Sequence, residues 1–198
     1  LPLLAEAAPN EFLDAVEKAL IIDPCPFDNV FAQESGDFTG RTYMSGILWS
    51  LETLAWSAEH LNRVAMCLGE LASRDPGGKY SNRPVNSLST IFLPWMPQTC
   101  APISKRCSAV SSLIQDLPEV GWKLLLSLLP SSHAISSGCR RPAWRQTIPD
   151  DWKKGVTQGE YWEQVDHYSQ IAVAAAKSDH TKLVELIDRI DDLPQSAF

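Results

Sequence analysis

The chain has 198 residues, of which 44% are hydrophobic and 9% are aromatic, enough apolar side chain to bury a sizeable core. Seventeen basic and 24 acidic residues give a formal net charge of −7. This balance argues against a general nucleic-acid-binding protein, because neutralising phosphates requires a basic face. The longest apolar stretch, residues 124–129, is too short to cross a bilayer, and the N-terminus lacks the pattern of a signal peptide. We therefore expect no membrane partner.

The five cysteines are odd in number, and none forms a C-x-x-C pair. Cys67 falls inside an apolar helical pattern, as a small core residue does. These features favour a reducing compartment and predict a cytoplasmic protein with free thiols.

The ends of the chain predict a piece of a longer protein. It opens Leu-Pro-Leu-Leu without an initiator methionine and closes on Ser-Ala-Phe. We expect residues 1–198 to form one elongated helical-repeat domain, with a possible sub-boundary within residues 130–156.

Apolar residues at helical spacing predict two helical hairpins in the first half of the chain. The first comprises residues 3–8 and 10–22, with Pro9 in the first turn of its second helix. A long connection, residues 23–42, follows. The second hairpin comprises residues 43–56 and 58–73, and Ser57 is expected to cap its second helix.

The second half shows the same pattern after a loop and a short apolar segment, residues 88–95. Helices are predicted at residues 104–117, 119–129, 157–177 and 180–190. The helix at 119–129 is apolar nearly all round, so we expect it to be central. Thr157 and Glu160 match a capping box, and residues 130–155 form a second long irregular region.

These elements predict an all-α fold: a HEAT-like stack of about four helical hairpins, an α-solenoid fragment with two long loops. Helix starts recur at broadly similar intervals, near Pro9, Ser57, Pro118 and Asp179. No stretch shows the alternating apolar and polar residues of a half-buried strand. Repeat stacks present long surfaces, so the fold favours a protein-recognition or scaffolding function.

Arginine and tryptophan, the residue types that dominate binding hot spots, are concentrated in two loops: the one around Arg83 and Trp95, and the one that contains residues 140–152. The candidate binding residues are Arg83, Trp95, Arg140, Arg141, Trp144, Arg145 and Trp152. The alternative is structural, in which the loops wedge against their own hairpins and the arginines satisfy helix carbonyls.

Catalytic and metal sites have weaker support. Glu160, Glu163 and His167 share one helix face beside Asp166, but their spacing matches no metal motif and is typical of a solvated face. A zinc site or a Cys/His nucleophile pair is a second hypothesis, based on His133, Cys139, Cys100 and Cys107. No motif supports it. The sequence therefore predicts no metal or cofactor.

The runner-up function is a small cytoplasmic enzyme with a loop-built site around His133, Arg83 and the arginine cluster at Arg141. No catalytic constellation supports it, so we expect a non-enzymatic protein.

Two stretches carry a family resemblance: Asp-Pro-Gly-Gly at 75–78 with Asn-Arg-Pro at 82–84 and Ile-Phe-Leu-Pro-Trp at 91–95, and Leu-Leu-Pro at 128–130 leading to Arg-Pro-Ala-Trp-Arg at 141–145. Over roughly residues 3–150 the chain resembles a helical segment of very large bacterial proteins, the STAND-type P-loop ATPases, including antiphage defence proteins. Because no nucleotide-binding motif is present, the resemblance implies a sensor or scaffold region whose partners are proteins or other domains of the parent chain.

Overall fold

The structure is a computed structural model that describes residues 1–33, 43–78, 81–131 and 135–194. It is 67% helix, and the described residues contain no strand. The ten α-helices are α1 (Pro2–Ala7), α2 (Pro9–Ile21), α3 (Pro26–Gln33), α4 (Met44–Ala55), α5 (Leu61–Arg74), α6 (Pro84–Phe92), α7 (Ile103–Asp116), α8 (Pro118–Leu128), α9 (Gln158–Ala176) and α10 (His180–Ile187). The predicted all-α class is confirmed.

The helices begin where the sequence places suitable first-turn and capping residues. Proline opens α1, α2, α6 and α8, since a first-turn residue needs no intrahelical N–H bond. The capping box before α9 is present: Thr157 Oγ1 accepts the Glu160 N–H, and the Glu160 carboxylate accepts the Thr157 N–H. Asp179 accepts the N–H groups of Thr181 and Lys182 at the start of α10.

Two local predictions are wrong. The connection at 23–42 contains helix α3, which Pro26 opens; its prolines and glycines had indicated an irregular segment. Ser57 does not cap α5, because residues 57–60 form an intervening turn in which the Ser57 carbonyl accepts the N–H groups of His60 and Leu61.

The helices pack in two interlocking series. In one series α1 contacts α4, α4 contacts α6, and α6 contacts α8. In the other α2 contacts α5, α5 contacts α7, and α7 contacts α9, while α10 packs on α9. Helix α5 also contacts α4, α6 and α8, so it occupies the middle of the packing.

One contiguous core runs through these helices from Ala5 to Leu186. Helices α7 and α8 meet so closely that a Cβ on Gly121 would lie 2.7 Å from Ile114 Cα, a distance that real Cβ atoms do not adopt. Glycine is therefore required for this helix crossing. Leu124 and Leu125 are fully buried on α8, as the sequence predicts for a central helix.

No helix in the described ranges is both long enough and apolar enough to cross a membrane.

Leucine truncation should separate the core from the surface. We expect Leu125→Ala to lower the free energy of unfolding by roughly 2–5 kcal/mol, because Leu125 is fully buried and its loss leaves a cavity. The matched control is Leu183→Ala on α10, where Leu183 is 42% exposed and the loss should be much smaller. Urea denaturation measures both variants. Equal losses would mean that α8 is not central.

Candidate functional site

Residues 138–157, which precede α9, lie across the first helices of the chain. We call these residues the crossing segment. Its one helical turn is a 3₁₀ turn at Asp150–Lys154. Side chains from α1 and α4 and from the turns next to α4 and α6 hold its backbone, so the segment is attached to residues far away in the sequence.

Glu6 of α1 forms the first attachment. Its side chain is 3% exposed, and its carboxylate oxygens accept the N–H groups of Ala143 at 2.8 Å, Trp144 at 2.8 Å and Arg145 at 3.2 Å. Arg145 Nε donates to the Glu6 carbonyl oxygen. Three successive backbone N–H groups form a concave anion site of the kind that binds carboxylates.

These contacts decide the ionisation of Glu6. Burial raises its pKa, but the three backbone hydrogen bonds and the Arg145 charge together lower it more, so the pKa falls below its usual value. Glu6 is therefore a carboxylate at neutral pH.

Glu52 and Trp56, one turn apart along the chain, form the second attachment. Glu52 Oε2 accepts the Arg140 N–H at 2.9 Å, while Glu52 Oε1 accepts the Ser87 hydroxyl at 2.6 Å. The buried Trp56 indole donates from Nε1 to the Arg140 carbonyl at 3.0 Å. Both backbone groups of Arg140 are thus satisfied. Gln98 Oε1 adds a bond from the Cys139 N–H at 3.3 Å.

Arg141 joins the crossing segment to the helices through two indoles. Its guanidinium carbon lies 5.6 Å from the Trp56 ring centroid and 4.6 Å from that of Trp152. The two rings are 4.9 Å apart and nearly perpendicular. Cation–π and edge-to-face contacts of this kind stabilise the position of the 3₁₀ turn.

The structure separates the candidate binding residues into three groups. Arg140, Arg141, Trp144, Arg145 and Trp152 lie in the crossing segment; Trp144 is the most exposed tryptophan, at 69%. Trp95 lines a cleft together with Arg141 and Trp152. Arg83 is different: it is 6% exposed and forms an ion pair with Asp75 at 2.9 Å.

This cleft has a volume of about 620 Å³ and lies between residues 95–103 and residues 149–156. It contains Arg106 of α7, a residue that sequence reasoning missed. The sequence does contain a signal for it. Arg106 stands at a position of the apolar stripe formed by Ala109, Val110 and Leu113, so a charged residue there is unexpected.

The alternative enzyme site includes His133, which lies outside the described residues. Of its other members, Arg83 forms an ion pair with Asp75, and Arg141 lies in the crossing segment. Burial raises the pKa of Cys139 and Cys100, and raises that of Cys107 to about 11 and that of Cys67 to about 12. These thiols are therefore protonated at neutral pH and are poor nucleophiles.

The acidic face of α9 shows no metal-binding arrangement. The Glu160 carboxylate is engaged by the Thr157 N–H and hydroxyl. Within residues 1–33, 43–78, 81–131 and 135–194, no group of three or more potential ligands is placed to hold a metal ion.

Comparisons with protein-family models, with curated proteins and with solved structures find no match to this chain.

We expect Glu6→Gln to lower the free energy of unfolding by about 2 kcal/mol, because the amide replaces a charged acceptor and directs an NH₂ group at backbone donors. Glu11→Gln on the exposed face of α2 is the matched control and should have little effect. Urea denaturation at pH 7 compares the two.

The same pair of variants predicts a pH dependence. The folded-state pKa of Glu6 lies below the ordinary value of 4.5, so the stabilisation by its carboxylate is fully present above about pH 4.5 and is lost as the pH falls through the folded-state pKa. The stability difference between wild type and Glu6→Gln should therefore shrink on acidification. A difference that stays constant from pH 7 to acid pH would contradict this role of the carboxylate.

Proposed function

We propose that this chain is a protein-recognition or scaffolding module of helical-repeat type within a larger bacterial protein of the cytoplasm, and that the crossing segment is its recognition element. The observation that carries the proposal is the way in which the segment is held: its backbone is fixed by buried carboxylates while Trp144 remains exposed.

The packing order of the helices supports the repeat interpretation. Each of the two series continues from one helix to the next, as the two layers of a solenoid do. The helices of each hairpin that the sequence predicts are in contact: α1 with α2, α4 with α5, α7 with α8, and α9 with α10. Helix α6 is an additional element, which packs against α4, α5 and α8.

The physical argument for recognition is the low entropic cost of binding. A loop that is already fixed loses little conformational freedom when a partner binds, so more of the interaction energy appears as affinity. Here the fixed backbone carries Trp144 and three exposed arginines, Arg140, Arg141 and Arg145. Large rigid aromatic and guanidinium groups are the usual anchors of such interfaces.

Charge indicates the kind of partner surface. The chain is acidic overall, at −7, whereas the crossing segment presents its arginines together. An acidic or neutral protein face would suit this segment, either in another protein or in another domain of the parent chain. The resemblance to the STAND-type ATPases, including antiphage defence proteins, supports a sensor or scaffold region in such a parent.

Site-specific photo-crosslinking tests this proposal. The photoreactive residue p-benzoylphenylalanine replaces Trp144 in the full-length parent protein, and the control replaces Trp162, an indole of α9 with 46% exposure. We expect a discrete crosslinked product from position 144 and none from position 162. Equal or absent products at both positions would place the recognition surface elsewhere.

The identified partner then allows a quantitative test. We expect Trp144→Ala to weaken partner binding at least tenfold while leaving the melting temperature nearly unchanged, because the side chain is exposed and the backbone N–H that binds Glu6 is retained. Trp162→Ala is the control and should preserve binding. Charge reversal at Arg141 or Arg145 is a poorer probe, since both side chains also attach the segment to the helices. Unchanged affinity in Trp144→Ala would contradict the proposal.

A further inference from the structure

Arg106 is a buried charge that the fold leaves incompletely satisfied. Its side chain is 6% exposed, its Nη1 donates to the Ala101 carbonyl at 3.1 Å, and its buried Nε has no hydrogen-bond partner. Among the described residues no carboxylate forms an ion pair with it. Other arginines of this chain, such as Arg63 and Arg83, do have carboxylate partners.

This arrangement is unfavourable for the free protein. Burial lowers the pKa of the Arg106 guanidinium, and Tyr168, Cys107, Glu160 and Glu163 oppose that effect without cancelling it. Because a guanidinium stays protonated at neutral pH, the charge persists at a cost in free energy. An anion that reached Arg106 would recover part of that cost.

The cleft provides access from solvent. Arg106 is part of its lining, and Trp95 and Trp152 supply aromatic surface to the same cleft. A volume of about 620 Å³ accommodates a small organic molecule or one or two residues of a peptide. An apolar body with one anionic group matches this combination of walls.

The remaining charges of the lining limit the charge of the ligand. Asp151 and Glu160 also line the cleft, and Arg141 adds a second positive group. A dianionic phosphate would meet two carboxylates, whereas a monocarboxylate adds a single charge that one guanidinium can bind bidentately.

We propose that this cleft is a binding site for an organic monocarboxylate, with the carboxylate at the Arg106 guanidinium and an aromatic body against Trp95 and Trp152. The carboxylate belongs either to a free aromatic acid or to the C-terminal residue of a peptide. The site stands independently of recognition through Trp144, because it uses other side chains.

Matched acid and amide probes test the proposal. Phenylacetate and phenylacetamide are titrated into the full chain, and the indole N–H resonances of Trp95 and Trp152 are followed by NMR. We expect the acid to bind at least tenfold more tightly than the amide. Arg106→Gln should reduce that preference to less than threefold, whereas Arg140→Gln, which removes the same charge from the crossing segment outside this cleft, should preserve it.

A second measurement uses the wild-type protein alone, so it does not depend on the folding of Arg106→Gln. Nuclear Overhauser effects from the phenyl protons to the indole protons of Trp95 or Trp152 should place the bound acid in the cleft. A short peptide ending in phenylalanine, as acid and as amide, separates the two sources. Tighter binding of the peptide acid indicates a protein C-terminus, and tighter binding of phenylacetate indicates a free acid.

Three results would overturn the proposal. The first is equal affinity for acid and amide in both probe pairs. The second is an acid preference that survives in folded Arg106→Gln. The third is the absence of Overhauser effects at both indoles under saturating acid.

Discussion

The position of the crossing segment depends on the carboxylate of Glu6. It joins α1 to three successive peptide N–H groups that lie 137 to 139 residues away in the chain. Closing so long a loop costs entropy, and a buried carboxylate with several charge-assisted bonds is the kind of interaction that offsets such a cost. Glu52 and Trp56 fix Arg140 just upstream, and Arg141 then reaches Trp152. Contacts with α1 and with the end of α4 therefore fix the positions of Trp152, which lines the cleft, and of Arg141, which lies over Trp56.

The fold was predictable wherever local signals decide it. Apolar stripes at helical spacing located eight of the ten helices, and prolines or capping residues located several of their starts, because these effects act within one or two turns. Helix α6 was expected only as a short apolar segment. Helix α3 was missed since Pro26 serves equally well to open a helix and to interrupt one. The packing between hairpins was harder to predict. Stripes show which face of a helix is buried, but the contacts of α6 with α4, α5 and α8 depend on packing between distant parts of the chain.

The candidate site was predictable in composition and not in arrangement. The concentration of arginine and tryptophan at 140–152 did mark the segment that crosses the helices. Nothing local, however, distinguishes an arginine that anchors from one that is available. Arg83 belongs to the same sequence pattern as Trp95, yet it is buried against Asp75. The partners of Glu6 and Glu52 cannot be read from the sequence either, because each is the single charged residue of its helix and no local pattern points to a distant partner.

The buried charges of this chain differ in how completely their hydrogen-bonding groups are satisfied. Glu6 and Glu52 are satisfied by the protein's own backbone and hydroxyl groups, so their energy contributes to holding the crossing segment. Arg106 is buried to the same extent, but it has one backbone acceptor and an unpartnered Nε. Arginine offers five donors in a planar fork, so this site retains donor capacity beside a cleft. The carboxylates of Glu6 and Glu52 stabilise the fold because the fold satisfies them. The Arg106 guanidinium is only partly satisfied and lies beside a cleft, where a ligand from outside could supply the missing acceptor.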